Sequence, residues 1–151
     1  MPAERVVIGL GSDARGDDAA GLEVVRRLLV RAPAGVLITE SSGDPMHLIS
    51  TWSGTRLAIV IDAVSSGAPP GTVHHDIDPR RAQLRRGSTH ALGLTDALDL
   101  ATALGLLPGR LLVYGIEGGD FSVQGPITPP VRTAIRETAV AIRARLNDAA
   151  G

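Results

Sequence analysis

Residues 5–21 read Arg-Val-Val-Ile-Gly-Leu-Gly-Ser-Asp-Ala-Arg-Gly-Asp-Asp-Ala-Ala-Gly, and this order of residue types sets the architecture of the chain. The first six residues are a short, β-branched apolar run, which predicts a buried strand over residues 5–10. A glycine-rich turn follows. A helix is then expected over residues 18–31, because its acidic first turn and basic last turn suit the helix dipole.

The rest of the chain continues this alternation of strands and helices. Further strands are predicted over residues 36–39, 57–61, 71–77 and 111–116, and further helices over residues 45–52, 94–104 and 128–146. Most strands are continuous apolar runs, which indicates a sheet covered on both faces, with residues 71–77 at an exposed edge. The predicted fold class is α/β: a three-layer sandwich with a mostly parallel twisted sheet of about five strands and helices on both faces. We expect a single domain over residues 1–151.

The composition excludes several classes of chemistry. The 151 residues include no Cys, and all 15 residues of the Lys+Arg count are Arg. Thiol nucleophiles, disulfides, Cys-ligated metals, Schiff bases and Walker-type phosphate loops are therefore excluded. The net charge of −1 and the scarcity of aromatic residues argue against a nucleic-acid partner. Short apolar runs and the lack of a signal-peptide pattern predict no membrane partner and a cytoplasmic location.

Acidic residues follow two of the predicted strands, where open α/β sheets bind their ligands. Asp17 and Asp18 stand at the start of the first helix, and Asp62 follows the buried strand at residues 57–61. Helix capping explains one acid of the pair, and a turn explains Asp62. The alternative is that one of the pair caps the helix while the other faces a cleft, and that Asp62 is a metal ligand.

The histidines differ in their settings. His90 lies in a loop of small residues just before a predicted helix. With Asp18 and Asp62 it completes a carboxylate–carboxylate–imidazole set that suits a divalent metal such as nickel or zinc. His74 and His75 are consecutive on a predicted strand and point to opposite faces, so we expect ordinary surface or edge positions. His47 is either a lining or a surface residue.

Two competing sites are weaker. A dinucleotide site is disfavoured because Ala14 stands where the third glycine of G-x-G-x-x-G belongs, and because two acids lie where a phosphate would enter. A serine triad would use Ser12 or Ser88 as nucleophile, His90 as base and Asp62 as orienting group. No G-x-S-x-G elbow supports it.

A basic cluster precedes the loop that contains His90. Its members are Arg80, Arg81, Arg85 and Arg86. Such runs are usually solvated faces, and the alternative here is that the cluster docks an acidic patch of a partner.

Several segments, in this order, resemble those of the hydrogenase maturation proteases, endopeptidases that trim the C-terminus of the large subunit of nickel–iron hydrogenases. The segments are Gly9-x-Gly11-x4-Gly16-Asp17-Asp18 with Gly21, Val60-Ile61-Asp62-Ala63 followed by Pro70-Gly71, Ser88-Thr89-His90 with Gly93-Leu94, Gly115-Ile116-Glu117, and Pro129. The predicted fold is also the fold of that family. The chain departs from the pattern at Ser12, where the family usually has Asn, at Ala19, where Gly is common, and in residues 40–45.

The resemblance implies a nickel-dependent endopeptidase whose partner is the precursor of a hydrogenase large subunit. It places the family's metal-contacting positions on Asp18, Asp62 and His90, and we add Asp17 as a catalytic candidate that either positions a water or caps the helix. The nickel is expected to be presented by the substrate rather than held permanently. The alternative function is a metal-sensing binding module or chaperone that docks on the large subunit without cutting it.

Overall fold

A computed structural model describes residues 3–77 and 89–148, with the side chains of residues 89–92 outside the description. The strands are β1 (Arg5–Leu10), β2 (Val36–Ser41), β3 (Leu57–Val64), β4 (Val73–His74) and β5 (Arg110–Glu117). The helices are α1 (Ala20–Leu29), preceded by a 3-10 helix over Gly16–Ala19, then α2 (Pro45–Trp52), α3 (Thr89–Leu104) and α4 (Pro129–Asp148).

The strands form one sheet in the order β2-β1-β3-β5-β4. The four longer strands are parallel, and β4 pairs antiparallel with β5 at the edge. Every residue of β1 and β3 is buried, as expected for central strands covered on both faces. The predicted α/β class with a mostly parallel five-stranded sheet is therefore confirmed, and β4 lies at the edge as predicted, although its two residues are half-buried rather than exposed.

The core is divided by the sheet into two layers. Helices α1 and α4 pack on one face, against alternate residues of β3 that include Ile59 and Ile61. Helices α2 and α3 pack on the other face, against Ala58 and Val60. Because successive side chains of a strand point to opposite faces, Asp62 lies on the α2/α3 face.

The observed bounds differ from the predicted ones at the ends that surround the candidate site. The acidic pair belongs to the 3-10 helix rather than to α1. Strand β3 extends to Val64, so that Asp62 lies inside it. Helix α3 begins at Thr89, which places His90 in its first turn instead of before it.

Strand β4 is much shorter than predicted. Two residues pair with β5, and Asp76 interrupts the strand with a left-handed φ of 51°. Hydrogen bonds from Gly71 N to Glu117 O (2.8 Å) and from Ile77 N to Val113 O (3.0 Å) hold the flanking residues beside β5. None of the helices within the described ranges has both the length and the apolar character that crossing a membrane requires.

Candidate active site

The carboxyl edge of the parallel sheet brings Asp18 and Asp62 to neighbouring positions. Strands β1 and β3 are paired directly, so the chain segments that follow them emerge side by side. Helix α1 begins between these segments, with Gly21 against both. A Cβ on Gly21 would lie 2.4 Å from the carbonyl oxygens of Leu10 and Ile61. Part of the glycine spacing after β1 is thus required by close packing of helix on sheet.

Asp18 lies in the 3-10 helix with 2% of its surface exposed. Its backbone amide donates to Arg15 O (3.0 Å), and its carbonyl accepts from Ser12 N (3.3 Å). The 3-10 helix also contacts β3. The turn after β1 is therefore folded back against the strand that carries Asp62.

Asp62 is fully buried and lies opposite Gly115 of β5 in the parallel register. Burying a carboxylate is costly unless it is hydrogen-bonded, paired with a charge or bound to a cation. Asp18 and Asp62 are thus two buried carboxylates at one edge of the sheet. They form the oxygen-donor part of the predicted ligand set.

The backbone of His90 belongs to the first turn of α3, a helix that packs on the α2/α3 face of the sheet. The start of α3 packs closely on the segment after β2, since a Cβ on Gly93, the fifth residue of the helix, would lie 1.7 Å from Gly43 O. This contact places the backbone of the first turn at the carboxyl edge. The imidazole of His90 lies outside the described side chains, and Ser88 lies outside the described residues. Among the described residues no group of three His, Asp or Glu side chains is arranged to hold a metal ion.

Asp17 is also fully buried, and its carboxylate binds a distant part of the chain. Oδ2 accepts from Gly119 N (2.8 Å), Asp120 N (3.0 Å) and Thr128 Oγ1 (2.8 Å), and Oδ1 accepts from Thr128 N (2.7 Å). The N-cap residues of the 3-10 helix and of α1 are Arg15 and Ala19, without side-chain capping bonds. The prediction that an acid of this pair occupies the cap position is wrong. Asp17 instead ties the 3-10 helix to the residue before α4.

Glu117 is a buried carboxylate that the site prediction omitted. It is 1% exposed and ends β5 on the face that Asp62 shares. It accepts hydrogen bonds from Ser66 N (3.0 Å), from the Ser66 hydroxyl and, at 3.2 Å, from His74 Nε2. The signal was present in the sequence, because Glu117 ends an apolar strand as Asp62 ends the predicted one.

The remaining histidines have local partners. His47 Nδ1 lies 3.0 Å from Ser41 Oγ, and His47 N donates to Asp44, the N-cap of α2. The His75 ring packs edge-on against Tyr114, with centroids 5.4 Å apart. The expectation of an edge position for His74 and His75 fits these contacts.

Arg26 of α1 lies at the centre of a cluster of acidic side chains from the turn after β1, from α1 and from β2. It forms ion pairs with Asp13 (2.8 Å), Glu23 (2.9 Å) and Glu40 (2.9 Å), which link the turn after β1 to α1 and β2. The hydrogen bond from Arg26 lowers the pKa of the Asp13 carboxyl, and these acids raise the pKa of Arg26. The arginine cluster within residues 80–86, interpreted as a solvated face with docking of a partner as the alternative, lies outside the described residues.

Comparison with known proteins agrees with this architecture. The family model for hydrogenase maturation protease matches residues 22–144. The chain is 32% identical over 143 residues to the hydrogenase expression/formation protein HupM of Azotobacter chroococcum mcd 1, covering 91% of this chain and 68% of that protein.

Solved structures give the same result. The hydrogenase maturating endopeptidase HybD from E. coli superposes with a TM-score of 0.86 at 26% identity, covering 97% of this chain and 93% of that one. The [NiFe] hydrogenase maturation protease HybD from Thermococcus kodakarensis gives a TM-score of 0.75 at 25% identity, covering 95% and 98%. The chain therefore belongs to the hydrogenase maturation protease family.

Proposed function

We propose that this protease removes the C-terminal extension of a nickel–iron hydrogenase large-subunit precursor after nickel has been inserted. The observation that carries the proposal is the burial of Asp18 and Asp62 at the carboxyl edge of the sheet, the edge at which the start of α3 packs on the segment after β2. Family membership supports a peptide bond as the bond cleaved. The carboxylates of Asp18 and Asp62 support recognition of the substrate through a metal ion.

The nickel in this proposal belongs to the substrate. The chain has no Cys, so its own ligands are carboxylate oxygens and imidazole nitrogens. These ligands bind a borderline divalent metal less strongly than thiolates do, and they favour contact with a metal that the precursor already holds. A divalent metal in such a position polarises a carbonyl or lowers the pKa of a bound water.

Each candidate residue has a defined part in the proposal. Asp18 and Asp62 contact the metal of the precursor, and His90 in the first turn of α3 supplies the third contact. Asp17 keeps the 3-10 helix in place, since both of its carboxylate oxygens accept hydrogen bonds from residues 119–128. The cytoplasmic location stays a prediction.

The test is cleavage of purified precursor, followed by mass spectrometry of the intact large subunit. Nickel-loaded precursor should lose its extension, whereas nickel-free precursor should keep it. Asp18→Asn and Asp62→Asn should each lower the rate at least about 100-fold, because two of the three metal contacts depend on these carboxylates. Asp13→Asn, which changes an exposed carboxylate in the same turn, is the matched control and should cleave normally.

Three outcomes would contradict parts of the proposal. Equal cleavage of nickel-loaded and nickel-free precursor would remove the nickel dependence and leave the protease. Undiminished cleavage by the triple variant Asp18→Ala, Asp62→Ala, His90→Ala would refute the site. Nickel-dependent complex formation without any mass change would favour the non-cleaving binding module.

A further inference from the structure

A basic groove lies between α1 and α4, away from the candidate active site. Its volume is about 500 Å³, and its lining residues are Arg27, Val30, Arg31, Arg136, Ala139, Val140 and Arg143. Helix α1 starts at the carboxyl edge of the sheet and runs antiparallel to the strands. The groove adjoins the last turn of α1, about 15 Å further along its axis.

The charged residues that line the groove are all positive. Four of its lining residues are Arg and none is acidic. In the ion pairs of the part of the chain that the structure describes, these four arginines have no carboxylate partner. By contrast, Arg26 on the same helix is paired with three acids. The unbalanced charge is therefore a property of this surface and not of all the arginines on α1.

The walls of the groove are fixed and partly apolar. Arg143 Nη1 donates to Arg31 O (2.8 Å), and Nη2 donates to Arg27 O (3.0 Å), so α4 caps the carbonyl end of α1. Val30, the C-cap residue of α1, is 80% exposed, and Val140 of α4 is 69% exposed. Arginines around exposed valines form a surface on which apolar contact and charge pairing are available together.

We propose that this groove docks an acidic, partly apolar segment of the large-subunit precursor, outside the segment that is cleaved. The choice of partner rests on the proposed function. Charge complementarity selects an acidic partner, and the exposed valines select a peptide over a small anion, which would leave them in water. A second copy placed symmetrically would face these arginines with its own, and like charges would repel.

Docking at this distance predicts a specific kinetic pattern. The bound segment does not touch Asp18 or Asp62, so it contributes equally to the ground state and the transition state. Loss of such uniform binding raises KM and leaves kcat unchanged.

The experiment compares two triple variants of equal charge change. The groove variant reverses the charge of three lining arginines: Arg27→Glu, Arg31→Glu, Arg136→Glu. The control variant reverses the charge of three exposed arginines outside the groove: Arg56→Glu, Arg110→Glu, Arg132→Glu. Among these, Arg132 lies one turn before Arg136 on α4. Affinity for full-length nickel-loaded precursor is measured by titration calorimetry, and cleavage by intact mass. We expect the groove variant to bind about 10- to 100-fold more weakly at an unchanged kcat, and the control within about threefold of wild type.

A neutral variant and the remaining outcomes distinguish docking at the groove from the proposed function and from the binding of other ligands. If the charge-reversal variant does not fold, a neutral variant replaces it: Arg27→Gln, Arg31→Gln, Arg136→Gln. Weaker binding of the precursor by this neutral variant supports the proposal. Equal precursor binding by the wild type and by a folded groove variant overturns the groove, whether or not the precursor is cleaved. Failure of the wild type to cleave precursor that it binds through the groove overturns only the proposed function. Groove-dependent binding of inorganic phosphate alone, or a groove-dependent dimer in sedimentation, also overturns the proposal.

Discussion

Replacing Asp17 by Asn should destabilise the protein without removing any volume from it. The carboxylate is fully buried and accepts four hydrogen bonds, three of them from backbone amides 102 to 111 residues away. Asn can place its one oxygen at the Oδ2 position and keep the three hydrogen bonds accepted there. Its amide group then points at Thr128 N, where a donor meets a donor.

The magnitude follows from this geometry. One hydrogen bond is lost outright, and the other three change from charged to neutral acceptors, which bind roughly half as strongly. Because Gly119 is exposed and Thr128 is half-buried, water can reach part of the network and recover some of the loss. We therefore expect a decrease of about 2–3 kcal/mol in the free energy of unfolding, and a decrease of roughly 5–10 °C in Tm for a domain of this size.

The assay is urea unfolding followed by circular dichroism, with Asp13→Asn as the exposed-carboxylate control, for which less than about 1 kcal/mol is expected. Amide hydrogen exchange should accelerate at Gly119, Asp120 and Thr128 before the molecule unfolds globally. Precursor cleavage by the folded variant should persist, because the lost bonds support the site rather than contact the substrate. A variant with wild-type stability and no cleavage would refute this reasoning and place Asp17 in the chemistry.

Three further predictions concern stability. Gly93→Ala should cost at least about 2 kcal/mol in urea unfolding, because its Cβ would lie 1.7 Å from Gly43 O and α3 would have to move. Glu117→Gln should cost about 1–3 kcal/mol by the same measurement, since the carboxylate is 1% exposed and accepts hydrogen bonds from a serine and a histidine. Arg26 lowers the pKa of the Asp13 carboxyl in the folded state from 3.8, so the pair stabilises the protein above that pH, and this contribution is lost as the pH falls through the lowered value. The free energies of unfolding of Asp13→Asn and of the wild type should therefore differ by less than about 1 kcal/mol at pH 7, and the difference should vanish in acid.

Secondary-structure elements that depend mainly on residues close together in the chain could be predicted from local sequence patterns. Strand β1 occupies the predicted residues because a β-branched apolar run, Val6–Ile8, lies at its centre and a glycine-rich turn begins at Gly11. Helix α2 begins as predicted, with Asp44 accepting from His47 N. Interactions between distant segments set the bounds that were missed. The 3-10 helix forms where Asp17 N bonds to Asp120 O (2.9 Å), and no pattern in residues 16–20 contains that partner.

The same contrast between local patterns and distant contacts applies to the residues of the candidate site. The acids at 18 and 62 could be placed at one edge from the sequence, because parallel strands end at one edge and each acid follows a predicted strand, although β3 in fact extends past Asp62. The structural function of Asp17 could not be predicted, since its partners lie in a loop whose path depends on α4. Glu117 could have been included, because it too ends a buried strand.

The two charged regions of the molecule bear on how a precursor would be oriented. The buried carboxylates lie at the carboxyl edge of the sheet, and the uncompensated arginines lie beside the last turn of α1, toward the amino edge. A net charge of −1 gives little long-range attraction for a partner of either sign. Separated charges of opposite sign instead favour one orientation over its reverse, because reversal would place acidic residues against acidic residues. High salt should therefore weaken precursor binding through the exposed groove more than metal contact at the buried carboxylates, since buried charges are screened less.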